Sequence, residues 1–188
     1  MDKRCILILG GARSGKSRFA QEVASRLGER VLFVATAEAL DEEMRQRIEE
    51  HKKARSSSWR TIEAPFGVGR RIREQSGDAQ VVVLDCLTLL VSNVIGQCSG
   101  DSARIDTKLV DEKLSLEVRE LAECIEGTAA SFVLVSNEVG MGLVPPNRLG
   151  RIYQDSLGKV NQELAQRADT VYLMVAGIPV MIKGLQGL

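Results

Sequence analysis

The chain has 188 residues, and its 25 basic and 25 acidic side chains leave a formal net charge of zero. Apolar residues make up 44% of it and aromatic residues 4%, enough to bury a substantial core but too few rings for a single-strand stacking platform. With no global positive field either, a nucleic-acid partner is not expected.

Residues 5–9 form an apolar run that reads as a strand, and Phe19, Val23 and Leu27 follow at helical spacing. A second apolar run covers 31–35. Residues 41–55 read as a helix, with acids in its first turn and bases in its last, as the helix dipole favours. Met44, Ile48 and His51 share its apolar stripe. Further strands are expected at 81–84, 132–135 and 171–175. One helix is marked by Val110, Leu114, Val118, Leu121 and Ile125, and another by Leu149, Tyr153, Leu157, Val160 and Leu164. Residues 178–182 follow Gly177 closely enough for a C-terminal antiparallel hairpin. Two irregular stretches stand out: a polar, mobile loop at 96–107, and a glycine- and proline-bearing segment at 137–148 that follows a strand.

Strands without polar alternation are buried on both faces, as in a largely parallel sheet. Alternation with helices gives an α/β class: a mostly parallel central sheet flanked by helices, ending in an antiparallel hairpin. The length suits one domain over residues 1–188, since domains commonly run to ~100–200 residues.

Cys5, Cys86, Cys98 and Cys124 are scattered, with no C-x-x-C pair and a single histidine, so neither a zinc site nor a disulfide framework is expected. Cys5 and Cys86 lie in apolar runs, where a thiol behaves as a small hydrophobe. The five apolar residues between Arg4 and Gly10 are fewer than the ~7–15 of a signal peptide core. No run approaches the ~18 apolar residues of a membrane span, and a reduced, soluble, cytoplasmic protein is expected.

The sharpest signal is Gly10-Gly11-Ala12-Arg13-Ser14-Gly15-Lys16-Ser17, a G-x-x-x-x-G-K-[ST] match between an apolar strand and an amphipathic helix. Such a loop curls its backbone N–H groups toward phosphate oxygens, and the helix terminus adds partial positive charge. Lys16 is expected on the β- and γ-phosphates and Ser17 on Mg²⁺, in a P-loop (RecA-like) domain. Asp85, where the run 81–84 stops, is the metal-side carboxylate; its alternative role is to cap the helix beginning near Cys86. The motif does not separate ATP from GTP, while the absence of N-K-x-D and D-x-x-G disfavours a switch GTPase. His51 has two readings: an imidazole at the edge of the core on a solvated helix, or a nucleophile beside Arg45, Arg47, Lys52, Lys53 and Arg55. Neighbouring cations would keep it neutral and able to attack phosphorus.

The block GGARSGKS, a strand ending Ala35-Thr36-Ala37, the segments H-K-x-x-R and W-R-T-x-E, and N-E-V-G-x-G-x-V-P-x-N-R-L-x-R resemble one family from about Ile6 to Lys183. It is the bifunctional adenosylcobinamide kinase/adenosylcobinamide-phosphate guanylyltransferase family of cobalamin biosynthesis. The resemblance implies two steps. ATP or GTP phosphorylates the hydroxyl of the aminopropanol arm of adenosylcobinamide; then GTP guanylylates a histidine, releasing pyrophosphate, and adenosylcobinamide phosphate takes the GMP to give adenosylcobinamide-GDP. The family histidine falls on His51. Lys52, Lys53, Ala54, Arg55, Ala35, Thr36, Ala37, Glu63 and Asp85 match its nucleotide contacts, Asp85 standing where many relatives carry Glu. Glu63 would meet guanine N–H donors or a ribose hydroxyl, and the resemblance also implies a homotrimer. The rival readings are a small-molecule P-loop kinase without a covalent intermediate, a guanylyltransferase without kinase activity, and a nucleotide-binding module that does no chemistry. For Arg148, a role in the site and a solvent-facing helix start stay open.

Overall fold

A computed structural model describes residues 3–38, 46, 56–98 and 105–184. Among these, seven strands form one sheet: β1 Cys5–Gly10, β2 Val31–Ala35, β3 Arg60–Glu63, β4 Val81–Asp85, β5 Ser131–Val135, β6 Thr170–Val175 and β7 Ile178–Lys183. Their order is β3-β2-β4-β5-β1-β6-β7. All neighbours run parallel except the last pair, where β7 turns back antiparallel on β6. The expected class, with its C-terminal hairpin, is the one observed. The helices are α1 Lys16–Leu27, α2 Val68–Gln75, α3 Leu87–Cys98, α4 Thr107–Gly127 and α5 Arg148–Arg167.

Apolar residues on successive strand positions point to opposite faces, and each face has its own core. Cys5, Leu7, Leu32, Val34, Val82, Leu84, Phe132 and Leu134 pack beneath α2, α3, α4 and α5. Ile6, Ile8, Val31, Phe33, Val81, Val83, Val133 and Tyr172 pack on the other side with Ala20, Val23 and Ala24 of α1. The run in β1 is buried throughout because both faces are covered. Burial pushes the Cys5 thiol up to about 12, with Asp169 adding to the effect, and it also raises the Cys124 thiol. These two cysteines are core side chains, and all four are free.

Some elements differ from the sequence expectations. β3 does not stand out as an apolar run because Ile62 is its only apolar residue, although an exposed strand-end carboxylate is the alternative reading of Glu63; it forms as the outer strand, paired from Leu32↔Arg60 to Ala35↔Glu63. α2 is eight residues long and buries Val68, Gly69 and Ile72, too brief a stripe to stand out. α3 buries Leu87, Thr88, Leu90, Val91, Val94 and Ile95, so its apolar residues surround most of the helix and leave no clear periodicity. It also runs through Gly96, which places the start of the expected 96–107 loop inside a helix. Within that loop, Asp106 is the N-cap of α4. Leu149 is 44% exposed in the first turn of α5 and falls off the stripe that buries Leu157, Val160 and Leu164. The helix expected at 41–55 lies outside the described residues, apart from helical, exposed Gln46.

Candidate active site

The parallel register brings the carboxyl ends of the strands to one edge: Ala35 pairs with both Glu63 and Asp85, and Asp85 with Val135. In open α/β sheets this edge is where ligands bind. Gly10 ends β1 at the same edge, and the glycine-rich loop connects it directly to α1. There is no room for a side chain at Gly10, where a Cβ would lie 2.7 Å from the Met174 carbonyl oxygen and from Ser14 Oγ.

Helix α1 begins after Gly15, at φ 93, with no side-chain cap and no acid in its first turn. Its first N–H groups have no intrahelical acceptor, and they carry the positive end of the helix dipole. Lys16 is buried at this point, and its Nζ donates to the Gly11 carbonyl at 2.6 Å. Burial lowers its pKa, opposed by nearby Cys86 and Asp85. The Cys86 thiol is pushed up to about 12, first by burial and then by Asp85. Thus a lysine cation and an aspartate lie within electrostatic reach of each other at the loop mouth. Ser14 Oγ is buried with no hydrogen-bond partner, an orphaned donor in the wall of the cradle. Gly11, Ala12 and Arg13 are exposed and Ser17 is half-buried; Arg13 takes φ 56.

The strand ends are tied together by polar groups. The Thr36 hydroxyl donates to the Cys86 carbonyl at 2.6 Å and accepts from the Cys86 N–H at 2.9 Å. Asn93 Nδ2 donates to the carbonyls of Thr36 and Pro65, at 2.9 and 3.2 Å. On the far side of β4, Thr88 Oγ1 accepts from the Asn137 N–H at 2.8 Å. Asn161 joins Ser136 Oγ to the Asn137 carbonyl, and the Glu138 N–H donates to the Gly10 carbonyl. Thr88, Asn93 and Asn161 escaped sequence reasoning. The available signal was a polar residue inside an otherwise apolar helix face, whose buried polar atoms need partners.

The structure therefore gathers Gly10, Gly15, Lys16, Ser17, Ala35, Thr36, Ala37, Glu63 and Asp85 at one edge of the sheet. Glu63 is exposed at its strand end. His51, Lys52, Lys53, Ala54 and Arg55 lie outside the described residues. Arg148 opens α5, is exposed, and donates to the Ile105 carbonyl at 3.3 Å, which is the helix-start position. Beside it, segment 137–148 carries exposed Met141, Leu143 and Val144. Among the described residues no cluster of His, Cys, Asp or Glu is suited to hold a metal alone, and no helix is long and apolar enough to cross a membrane.

Comparison with known proteins matches residues 6–182 to the family model described as cobinamide kinase / cobinamide phosphate guanyltransferase. The bifunctional adenosylcobalamin biosynthesis protein CobU of Escherichia coli is 41% identical over 180 residues, covering 95% of this chain and 99% of that protein. The corresponding CobP of Pseudomonas aeruginosa is 40% identical over 178 residues, covering 95% of this chain and 96% of its own length. CobU of Salmonella typhimurium is again 41% identical over 180 residues, with 95% and 99% covered. Among solved structures, the RadB recombinase superposes with a TM-score of 0.49 at 15% identity, covering 90% of this chain and 73% of that one. The chain belongs to the cobinamide kinase / cobinamide phosphate guanyltransferase family.

Proposed function

We propose that this chain phosphorylates adenosylcobinamide with ATP or GTP and then transfers GMP from GTP to the resulting phosphate through a guanylyl group carried on His51. The observation that carries the reading is the uncapped start of α1, with buried Lys16 and nearby Asp85, in a chain of this family. Backbone N–H groups, the orphaned Ser14 hydroxyl and Lys16 suit the polyanionic end of a nucleoside triphosphate. On binding, Lys16 exchanges the Gly11 carbonyl for phosphate oxygens, and the new partners offset its desolvation.

Ser17 and Asp85 offer hard oxygen donors, the chemistry Mg²⁺ prefers, and few protein ligands are needed because Mg²⁺ retains water and phosphate oxygens. The residues therefore fit the ion, which when bound would supply charge neutralisation at the phosphates. Ala35, Thr36, Ala37, Lys52, Lys53, Ala54, Arg55 and Glu63 form the remainder of the nucleotide site in this reading. Glu63 is held in register with Ala35 at the ends of adjacent strands, and Thr36, the next residue, is tied to Cys86.

In the first step the substrate hydroxyl oxygen bonds to the γ-phosphorus, its proton is lost, and the nucleoside diphosphate leaves. For GMP transfer, a nitrogen of His51 attacks the α-phosphorus, and the bond to the bridging oxygen breaks. Pyrophosphate departs into the cradle, where Lys16 and the helix terminus stabilise its charge. A phosphate oxygen of the corrinoid substrate then attacks the same phosphorus and displaces the histidine nitrogen. Dividing the transfer in this way replaces one hard displacement with two easier ones. We place the protein in the cytoplasm as a homotrimer of single-domain subunits, as the resemblance implies; exposed Ile178, Val180 and Ile182 on β7 are consistent with burial against a second copy.

The test uses α-labelled GTP with Mg²⁺. Acid-labile, alkali-stable label is expected on the wild type and not on His51→Ala. A wild type that takes up no label under turnover conditions refutes the covalent route. Transfer of γ-label to free cobinamide tests the kinase step separately, and its absence would leave a transferase alone.

A further inference from the structure

Beside the phosphate loop lies the turn of the β6–β7 hairpin. Its two central residues, Ala176 at φ 50 and Gly177 at φ 84, both take positive φ, which matches the right-handed twist of a two-residue hairpin. Met174 of β6 pairs with Gly10 of β1, so the hairpin leaves the sheet where the loop begins. The Gly177 N–H donates to the Ser14 carbonyl at 3.0 Å. The approach is close: a Cβ at Gly15 would meet Gly177 Cα at 3.3 Å.

The bond has a directional consequence. In a trans peptide unit the carbonyl and the following N–H point in opposite directions. The Ser14 carbonyl and the Gly15 N–H belong to one such unit, since the cis peptide in the described chain is Asp85–Cys86. Holding the carbonyl against the hairpin therefore turns the Gly15 N–H the other way, away from the hairpin. We propose that the β6–β7 turn is a positioning element for the phosphate loop, with the Gly177 N–H fixing the Ser14–Gly15 peptide so that the Gly15 N–H is presented to the triphosphate.

This inference rests on the nucleotide-binding reading of the loop and adds to it a residue over 150 positions away in sequence from Ser14. Gly177 does not touch substrate in this account; it acts through Ser14. A turn that merely supports the fold would lower stability and leave nucleotide affinity alone. A positioning turn moves the affinity for GTP and spares the other substrate.

The direct test replaces Gly177 by glycolic acid, joined through a synthetic C-terminal segment, so that an ester oxygen stands where the N–H was. The expected outcome is a rise of about three- to tenfold in the Kd of mant-GTP with Mg²⁺, the effect of one hydrogen bond. KM for GTP in guanylyl transfer should rise by the same factor, with KM for cobinamide phosphate unchanged. A folded ester protein with wild-type affinity for mant-GTP overturns the proposal. Amide hydrogen exchange on the wild type provides a second decision that does not depend on a variant folding. The Gly177 N–H should be protected before nucleotide is added, and exchange at the rate of an unbonded amide overturns the brace. A wild type that does not bind mant-GTP defeats the functional reading instead, and the exchange of Gly177 still decides whether the brace exists.

Discussion

Helix α4 begins beneath the side chain of Asp106, which accepts from the N–H groups of Lys108 and Leu109, and α5 begins beneath Asn147, which accepts from Gly150. Even α2, whose N-cap is a glycine, has the carboxylate of Glu117 on the N–H groups of Gly67 and Val68 at 2.7 and 3.3 Å. Helix α1 begins differently: its N-cap is Gly15, and no side-chain oxygen caps it. At the starts of α2, α4 and α5 the chain fills the acceptor role with its own side-chain oxygens, and at the start of α1 it buries a lysine. In the proposed reading, the difference separates helix starts built for stability from one left open for the triphosphate. An uncapped terminus with a desolvated cation costs stability unless an anion arrives.

Changes at the open terminus should mainly affect activity, and changes at the closed ones should mainly affect stability. The largest effect is expected from Lys16→Ala, which should lower kcat/KM for both transfers by about 10²–10³-fold, the loss typical of a preorganised charge. Its thermal midpoint should not fall, because the burial that lowers the Lys16 pKa is removed. A midpoint that drops sharply while transfer survives would make Lys16 structural. Ser17→Asp tests the same contrast by placing a carboxylate of the chain's own at the open start of α1. The dipole should repay it with ~0.3–1 kcal/mol of stability, while like-charge repulsion weakens GTP binding by about 10–100-fold in a fluorescence titration.

Effects at the closed termini are smaller and of the other kind. Glu117→Ala leaves two N–H groups at the start of α2 without their carboxylate and should cost about 1–2 kcal/mol in urea denaturation. Its guanylyl transfer rate should match the wild type. Asp106→Ala should cost about 1 kcal/mol and lower the midpoint by ~2–4 °C, again with kinetics unchanged. A loss of GTP affinity in either variant, with the protein folded, would break the division between the two kinds of helix start.

How much of this could be read in advance varied with the length and patterning of each element. β1, β2, β4 and β5 announced themselves because burial on both faces demands unbroken apolar runs, and the stripe from Val110 to Ile125 in α4 gave that helix away. β3 stayed hidden because it is held by pairing with β2 and contributes only Ile62 to the interior. The phosphate loop was visible as a local motif whose backbone geometry depends on the glycines themselves. The polar ties at the strand ends were not visible. Thr36 to Cys86 and Asn93 to Pro65 join residues that are distant in sequence, and nothing in the local pattern of any one of them names its partner. The hairpin bond from Gly177 to Ser14 is of the same kind.

The claim that α1 is the helix start kept open for the triphosphate can be tested by adding GTP and Mg²⁺ to ¹⁵N-labelled protein and following the backbone amides. The largest shifts are expected at Gly11, Gly15, Lys16 and Ser17, with Lys108, Leu109 and Gly150 at the capped termini unmoved. Shifts centred on α4 or α5, or a phosphate loop unmoved at saturating GTP, would contradict it.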